Sequence, residues 1–357
     1  MVFLVAASLM VQAQPADSRA FRMGFTRWPS DLTVEAMADC QKFAEQNGDI
    51  VSVMFIGGIP WQEALEGKPY SQDVRNNFAY RVPQGKQLFL SISPLAEDRT
   101  SLAPYWGDKD NLPLPAAWAG RGFDSPEVLA AYKRFVIDAT KALNPDYLGI
   151  AIEANVLLSK DKARWEKFKP FYRQVYAEVK KQWPKLPVFF TTDIGHYLKM
   201  ANEAKAVDQE GEVADLMKSS DLFAMSWYPF MNYTGPARYQ ASQTAFATKF
   251  GKPIAVTESG MTSRDIPLPT YKVTIPGSDQ AQVDFANGLL EQAQKDRYRF
   301  VINFATTDFD RLVAKLPESA REVAGLWQNT GVRASDGKPK PVMAVWRRWF
   351  ARGLADR

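Results

Sequence analysis

At 357 residues the chain is too long for a minimal domain, yet within range of one α/β barrel with loop insertions. Its 46% hydrophobic content excludes a disordered chain, and ten Trp, 13 Tyr and 22 Phe supply both core and the exposed rings on which sugar faces stack. A net charge of +4 with acids and bases interspersed excludes the clustered basic face of a nucleic-acid binder, so no such partner is expected.

Val2 to Met10 is an apolar stretch of signal-peptide length, and Val11 and Ala13 suit cleavage after Ala13, although no Lys or Arg precedes Arg19. Residues 1–13 are therefore expected to be a signal peptide, with a periplasmic or secreted product and a single barrel domain over 20–357. The one cysteine, Cys40, excludes an intrachain disulfide. No later stretch is long enough to span a membrane. A monomer is expected.

Phe21 to Pro29 reads as a first strand running into a loop, followed by a helix from Val34 to Gln46 with Ser30 or Asp31 as cap. Ile50–Ile56 is strand two, stopped by Gly57-Gly58, and Gln87–Ile92 is strand three. The long irregular stretch Ser93 to Asp124 has the length of a lid or cleft wall. Ser125-Pro126-Glu127 opens a helix running to Leu143, and Tyr147–Glu153 is strand four. Phe168, Phe171, Tyr172, Val175, Tyr176 and Val179 mark one helical face ending near Trp183. Val188–Thr192 is strand five and Leu222–Pro229 strand six, with a helix from Ala237 to Phe250 after it. Ile254–Thr257 is strand seven, Gln280–Lys295 a helix, Phe300–Phe304 strand eight, and Pro341–Arg352 a last helix. Eight strands alternating with helices predict a single (β/α)₈ TIM barrel. A doubly wound open sheet is the alternative, but no Gly-rich phosphate turn follows any strand.

Strands four and seven both end on a glutamate, Glu153 and Glu258, 105 residues apart. Three βα units of separation place them across the mouth of a barrel, where the loops at the carboxyl ends of the strands gather. Glycoside cleavage needs this equipment: one carboxyl to protonate the leaving oxygen and one carboxylate at the anomeric carbon. One of the two must then be ionised and the other hold a proton near neutral pH, so the two environments are expected to differ. The alternative for each glutamate is a structural ion pair with a nearby Arg or Lys.

Val256-Thr257-Glu258-Ser259-Gly260, Ser226-Trp227-Tyr228-Pro229 and the tail Asn329-Thr330-Gly331-Val332 with Asp336-Gly337-Lys338-Pro339-Lys340-Pro341 carry a resemblance. The chain resembles clan A glycoside hydrolases, and within them relatives of the arabinogalactan endo-galactanase family. That resemblance implies Glu258 as nucleophile, Glu153 as acid/base and Tyr228 as a hydroxyl neighbour of the nucleophile. Ile152 stands where the clan has an Asn that holds the sugar 2-hydroxyl. Asn155, Asn303 and His196 are candidate substitutes for it. Strand eight carries Asn303-Phe304 in place of the clan's tryptophan.

Arg27 and Trp28, after strand one, either line the cleft or, for Trp28, cap the barrel. Trp227 joins them as a candidate substrate contact. His196, the only histidine, is a substrate contact or a loop hydrogen bond. Asp193 contacts sugar or caps the next helix, and Asp308 and Asp310 are expected only to pair with Arg311. No cofactor is expected. One His and one Cys cannot build a zinc site, an all-oxygen calcium site stays open, and no Gly-x-Ser-x-Gly elbow offers an esterase nucleophile. The sequence thus points to a retaining glycoside hydrolase acting on a poly- or oligosaccharide. Its rivals are a non-catalytic glycan-binding protein on the same barrel and a lyase using one Glu as base.

Overall fold

The computed structural model describes residues 18–232 and 242–355. The expected signal segment lies outside the described residues, as does the start of the helix expected from Ala237. Its remainder is a short turn of helix, Ser242–Ala245, running into a 3₁₀ segment, Phe246–Phe250.

Eight parallel strands form a closed ring. They are strand one (Arg22–Thr26), two (Ile50–Phe55), three (Gln87–Ile92), four (Tyr147–Gly149), six (Phe223–Trp227), seven (Ile254–Ser259) and eight (Phe300–Asn303), with strand five in two pieces, Val188–Phe189 and Thr191–Asp193. Strand eight pairs with strand one (Phe300 opposite Arg22) and with strand seven (Val301 opposite Val256). Strand five closes the ring: its first piece pairs with strand four and its second with strand six. The expected (β/α)₈ barrel is the fold.

Two cores hold it. Ile50, Phe89, Tyr147, Phe189, Leu222, Ala224, Ala255, Phe300 and Ile302 fill the inside of the ring. There Tyr147 and Phe300 meet edge to face with centroids 4.8 Å apart. The larger core lies between the strands and the helices. Each fully buried Leu, Ile or Phe in either layer contributes about 1.5–3 kcal/mol. Alternation along each strand divides its residues between the two layers, and that parity decides which side chains can reach the mouth.

The helices follow the apolar periodicity, with corrections at their starts. Helix Val34–Asn47 is capped by Thr33, whose hydroxyl accepts from the Ala36 N–H at 3.1 Å, not by Ser30 or Asp31. Ser125 precedes helix Pro126–Leu143, but its hydroxyl donates to Glu127 instead of capping. Strand four is shorter than expected because Ala154–Lys160 turns helical directly after Glu153. Two short helices, Trp61–Glu66 and Gln72–Phe78, fill the connection from strand two to three. Among the described residues no helix is long and apolar enough to cross a membrane.

Candidate active site

Glu258 owes its position to an irregularity. Along strand seven Ala255 faces the barrel interior and Val256 the helix layer. Plain alternation would turn Thr257 inward and Glu258 outward. The register with strand six slips instead: Met225 pairs with Val256, and Ser226 with Glu258. Thr257 is the surplus residue of a β-bulge, its hydroxyl donating to the Met225 carbonyl at 3.0 Å. The bulge returns Glu258 to the inward set, beside Ser226. Behind it Gly260 leaves no room for a side chain, since a Cβ there would lie 2.8 Å from the Phe304 carbonyl oxygen.

Tyr228, buried just past strand six, donates from Oη to Glu258 Oε2 at 3.1 Å. Burial and then the charge of Glu153 push the Glu258 carboxyl up to about 8, against the opposing pull of Arg99 and the Tyr228 hydrogen bond. At neutral pH Glu258 is therefore mostly protonated, whereas the role that the resemblance implies for it needs the ionised form.

Glu153 lies four residues past strand four, at the start of helix Ala154–Lys160, with φ 49° and ψ 44°, a left-handed conformation that non-glycine residues rarely take and that clusters at functional sites. Its backbone N–H donates to Thr191 Oγ1 at 2.8 Å, tying it to strand five. Its side chain accepts from Arg99, at 2.9 Å from Nη2 and 3.1 Å from Nε. Arg99 also has positive φ, 57°. Burial acts to lower its pKa, but the charges of Glu153 and Glu258 outweigh that and raise it. Two carboxylates and one guanidinium thus form a single electrostatic unit, with Tyr228 against its second carboxylate. Arg99 lies inside the irregular stretch after strand three and carries no sequence signal beyond the Asp98 turn around it.

Parity sorts the remaining candidates. Trp28 lies at the mouth, its ring 5.3 Å from Phe304 and 6.0 Å from Phe309, with Nε1 buried and without a partner among the described residues. Phe304 in turn meets the ring of Tyr228, so Trp28 belongs to the aromatic wall beside Glu258. Arg27, one residue earlier, points the other way: its guanidinium sits 4.4 Å over the Tyr80 ring and Nη1 reaches Gln41 on the first helix. Trp227 is corrected likewise. It is 1% exposed in the outer core, on the opposite side of its strand from Ser226, and cannot stack on a sugar.

Asn155 is fully buried, and its amide clamps the Asp193 backbone, accepting from its N–H at 2.8 Å and donating to its carbonyl at 3.0 Å, with Gln209 as a further partner. It holds strand five in place and does not replace the missing 2-hydroxyl donor. Asn303 lies on the Val301 side of strand eight and donates to the carbonyls of Ala305 and, at 3.4 Å, Thr330. His196 remains at the rim. Its Nδ1 lies 2.8 Å from Asp193 Oδ1 and its Nε2 3.2 Å from Glu203. Burial acts to lower its pKa, but these two carboxylates raise it. Asp193 also caps the following turn through the His196 N–H, and its charge adds to the push on Glu258.

Asp308 pairs not with Arg311 but with buried Lys340, which also bonds Ser263 and the Asn329 carbonyl, knitting the loops after strands seven and eight to the tail. Among the described residues no three His, Cys, Asp or Glu side chains group as a cation site requires.

No known family profile and no curated protein sequence matches the chain. Its likeness lies in structure. A GH5_18 variant from Streptomyces cattleya in complex with Manβ1-4GlcNAc superposes with a TM-score of 0.62 at 15% identity, covering 94% of this chain and 83% of the other. A GH5_18 protein from Bifidobacterium longum subsp. infantis gives 0.61 at 14%, covering 95% and 80%. The β-glucuronidase of Bifidobacterium dentium gives 0.56 at 12%, covering 93% of this chain and 46% of that one, so the chain spans about half of that enzyme's length. These likenesses show that the chain has the (β/α)₈ barrel fold of these glycoside hydrolases.

Proposed function

We propose that the protein is a retaining glycoside hydrolase acting on a poly- or oligosaccharide. The observation that carries this reading is the pairing of Glu153, just past strand four, with Arg99, while Glu258 at the end of strand seven accepts from Tyr228 and feels the charges of both Glu153 and Arg99. In the first step Glu153 gives its proton to the glycosidic oxygen, which leaves with the bonding pair, while the Glu258 carboxylate bonds to the anomeric carbon. In the second, water gives a proton to Glu153 and its oxygen to that carbon, releasing Glu258. The barrel shared with GH5_18 enzymes supports this class of chemistry, as does the resemblance of the strand-seven and tail motifs to clan A enzymes. A signal peptide over residues 1–13 would place the activity outside the cytoplasm.

The test is a glycan panel that includes Manβ1-4GlcNAc and β-galactan, run with the wild type and Glu258→Gln. Turnover by the wild type, its loss in the variant, and a product that first appears with the substrate's anomeric configuration are expected. The reading also requires the two carboxyl groups to sit about 5–5.5 Å apart when substrate is bound. The neutral Glu258 and the Arg99-paired Glu153 favour one rival, a barrel that binds glycan without cleaving it. Binding by both forms with turnover by neither would establish that rival.

A further inference from the structure

We propose that Arg99 is a positioning residue that fixes which oxygen of Glu153 exchanges the proton. The inference rests on the reading of Glu153 as acid and base. Two N–H groups of Arg99 converge on the same oxygen, Oε2, at 2.9 and 3.1 Å. Oε1 has no partner among the described residues. An oxygen that already accepts two hydrogen bonds from a cation is a poor place for a proton, because the added hydrogen would face the guanidinium hydrogens. The proton must then leave from Oε1 towards the glycosidic oxygen, and the proton of the incoming water must return to it. Arg99 stays in place through both steps and offsets the charge left when the proton departs.

The loop that carries Arg99 is built to hold it still. Leu95 and Leu102 bridge at its base, and the Ala96 N–H donates to the Ser101 carbonyl at 3.0 Å. At its tip Asp98 Oδ1 accepts from the N–H groups of Thr100 and Ser101, and Arg99 Nη1 donates back to the Ala96 carbonyl at 3.2 Å. Lys160, on the helix that Glu153 opens, donates to the Asp98 carbonyl, and Arg164 to that of Thr100. The hairpin is thereby fastened to the element that carries Glu153. The side chains of the pair are each 16% exposed, shielded from bulk water yet open to a substrate.

A double-mutant cycle separates this role from direct substrate contact. Arg99→Ala, Arg99→Lys, Glu153→Ala and the Ala/Ala double variant are assayed on Manβ1-4GlcNAc and on 2,4-dinitrophenyl β-mannoside, or on galactan and its dinitrophenyl counterpart if the wild type prefers it. Only the natural linkage needs a proton on its leaving group, so in kcat/KM, which reports the first step alone, Arg99→Ala should lose about ten- to a hundredfold there. On the dinitrophenyl substrate it should lose less than about threefold in the same constant. Arg99→Lys, which keeps the charge without the fork, should recover part of the loss. In the Glu153→Ala background the second change should cost nothing further on either substrate. Equal losses on both substrates, or losses that add to those of Glu153→Ala, overturn the assignment of Arg99 alone. Failure of the wild type to cleave any glycan of the panel overturns the hydrolase reading itself, and the role of Arg99 with it. Melting curves of each variant, with Arg99→Lys as the milder change, separate misfolding from a lost role.

Discussion

Tyr228→Phe tests the electrostatics of the carboxyl pair directly. Tyr228 Oη donates to Glu258 Oε2 at 3.1 Å, and Glu258 already stands at about 8 through burial and the charge of Glu153. A hydrogen bond to a charged group contributes about 1.5–3 kcal/mol. At about 1.4 kcal/mol per pKa unit, its loss should raise Glu258 by a further one to two units. With a value of about 8, roughly a tenth of Glu258 is ionised at pH 7 in the wild type. The variant should therefore show kcat/KM about ten- to a hundredfold lower at pH 7, because kcat/KM follows the ionisation of the free enzyme. Glu258 attacks only when ionised, so activity should climb with pH through this limb, and the deficit of the variant should shrink at alkaline pH. The limb belongs to the coupled pair, not to Glu258 in isolation. The assay is kcat/KM against pH for both proteins. A wild-type profile that falls across the same window, or two limbs that coincide, would refute the reasoning.

The raised value of Glu258 also links stability to pH. Its protonated form is favoured by the fold, so this contribution is complete below the ordinary carboxylate value and is lost as pH rises towards about 8. Glu258→Gln should accordingly melt above the wild type in alkaline buffer and level with it in acid. Lys340→Met leaves Asp308 buried without its cation and should cost about 3–5 kcal/mol near neutral pH. That cost should lessen in acid, since Asp308, pushed up to about 6 mainly by burial, then takes a proton. Asn155→Ala should lower stability by about 1–3 kcal/mol through the lost Asp193 clamp while leaving KM near the wild-type value. Trp227→Ala should behave as a core truncation, costing about 3–5 kcal/mol in chemical denaturation without a selective loss of sugar binding.

The barrel was legible because strands buried on both faces read as continuous apolar runs, and Ile50–Phe55, Gln87–Ile92 and Ile254–Ser259 stand within a residue or two of where those runs place them. The two glutamates were legible because each closes such a run. What the pattern did not carry is which way a side chain points. Arg27, Trp227 and Asn303 each sit beside a residue of the inward set, and a displacement of one along a strand exchanges mouth for helix layer. Asn155 was misread because the chain turns helical directly after Glu153 and carries the amide under strand five. Arg99 escaped notice for another reason. Its place depends on hydrogen bonds from Lys160 and Arg164, some sixty residues on, and nothing local announces them.

The surplus residue in strand seven makes the chemistry of this protein depend on a bulge. Draw Thr257 into the ladder and every side chain keeps its identity, the strand stays as apolar, and its pairing with strand six runs on with Thr257 opposite Ser226. The carboxylate, however, would then fall out of phase by one and enter the layer where Val256 packs against helices. Excising Thr257 would do the opposite: Glu258 would follow Val256 directly, keep Ser226 as its partner and stay turned to the mouth. One barrel is thus furnished or blank according to whether a single residue stands out of the ladder, with no substitution anywhere. A comparison that scores positions one by one would see no difference between the two registers.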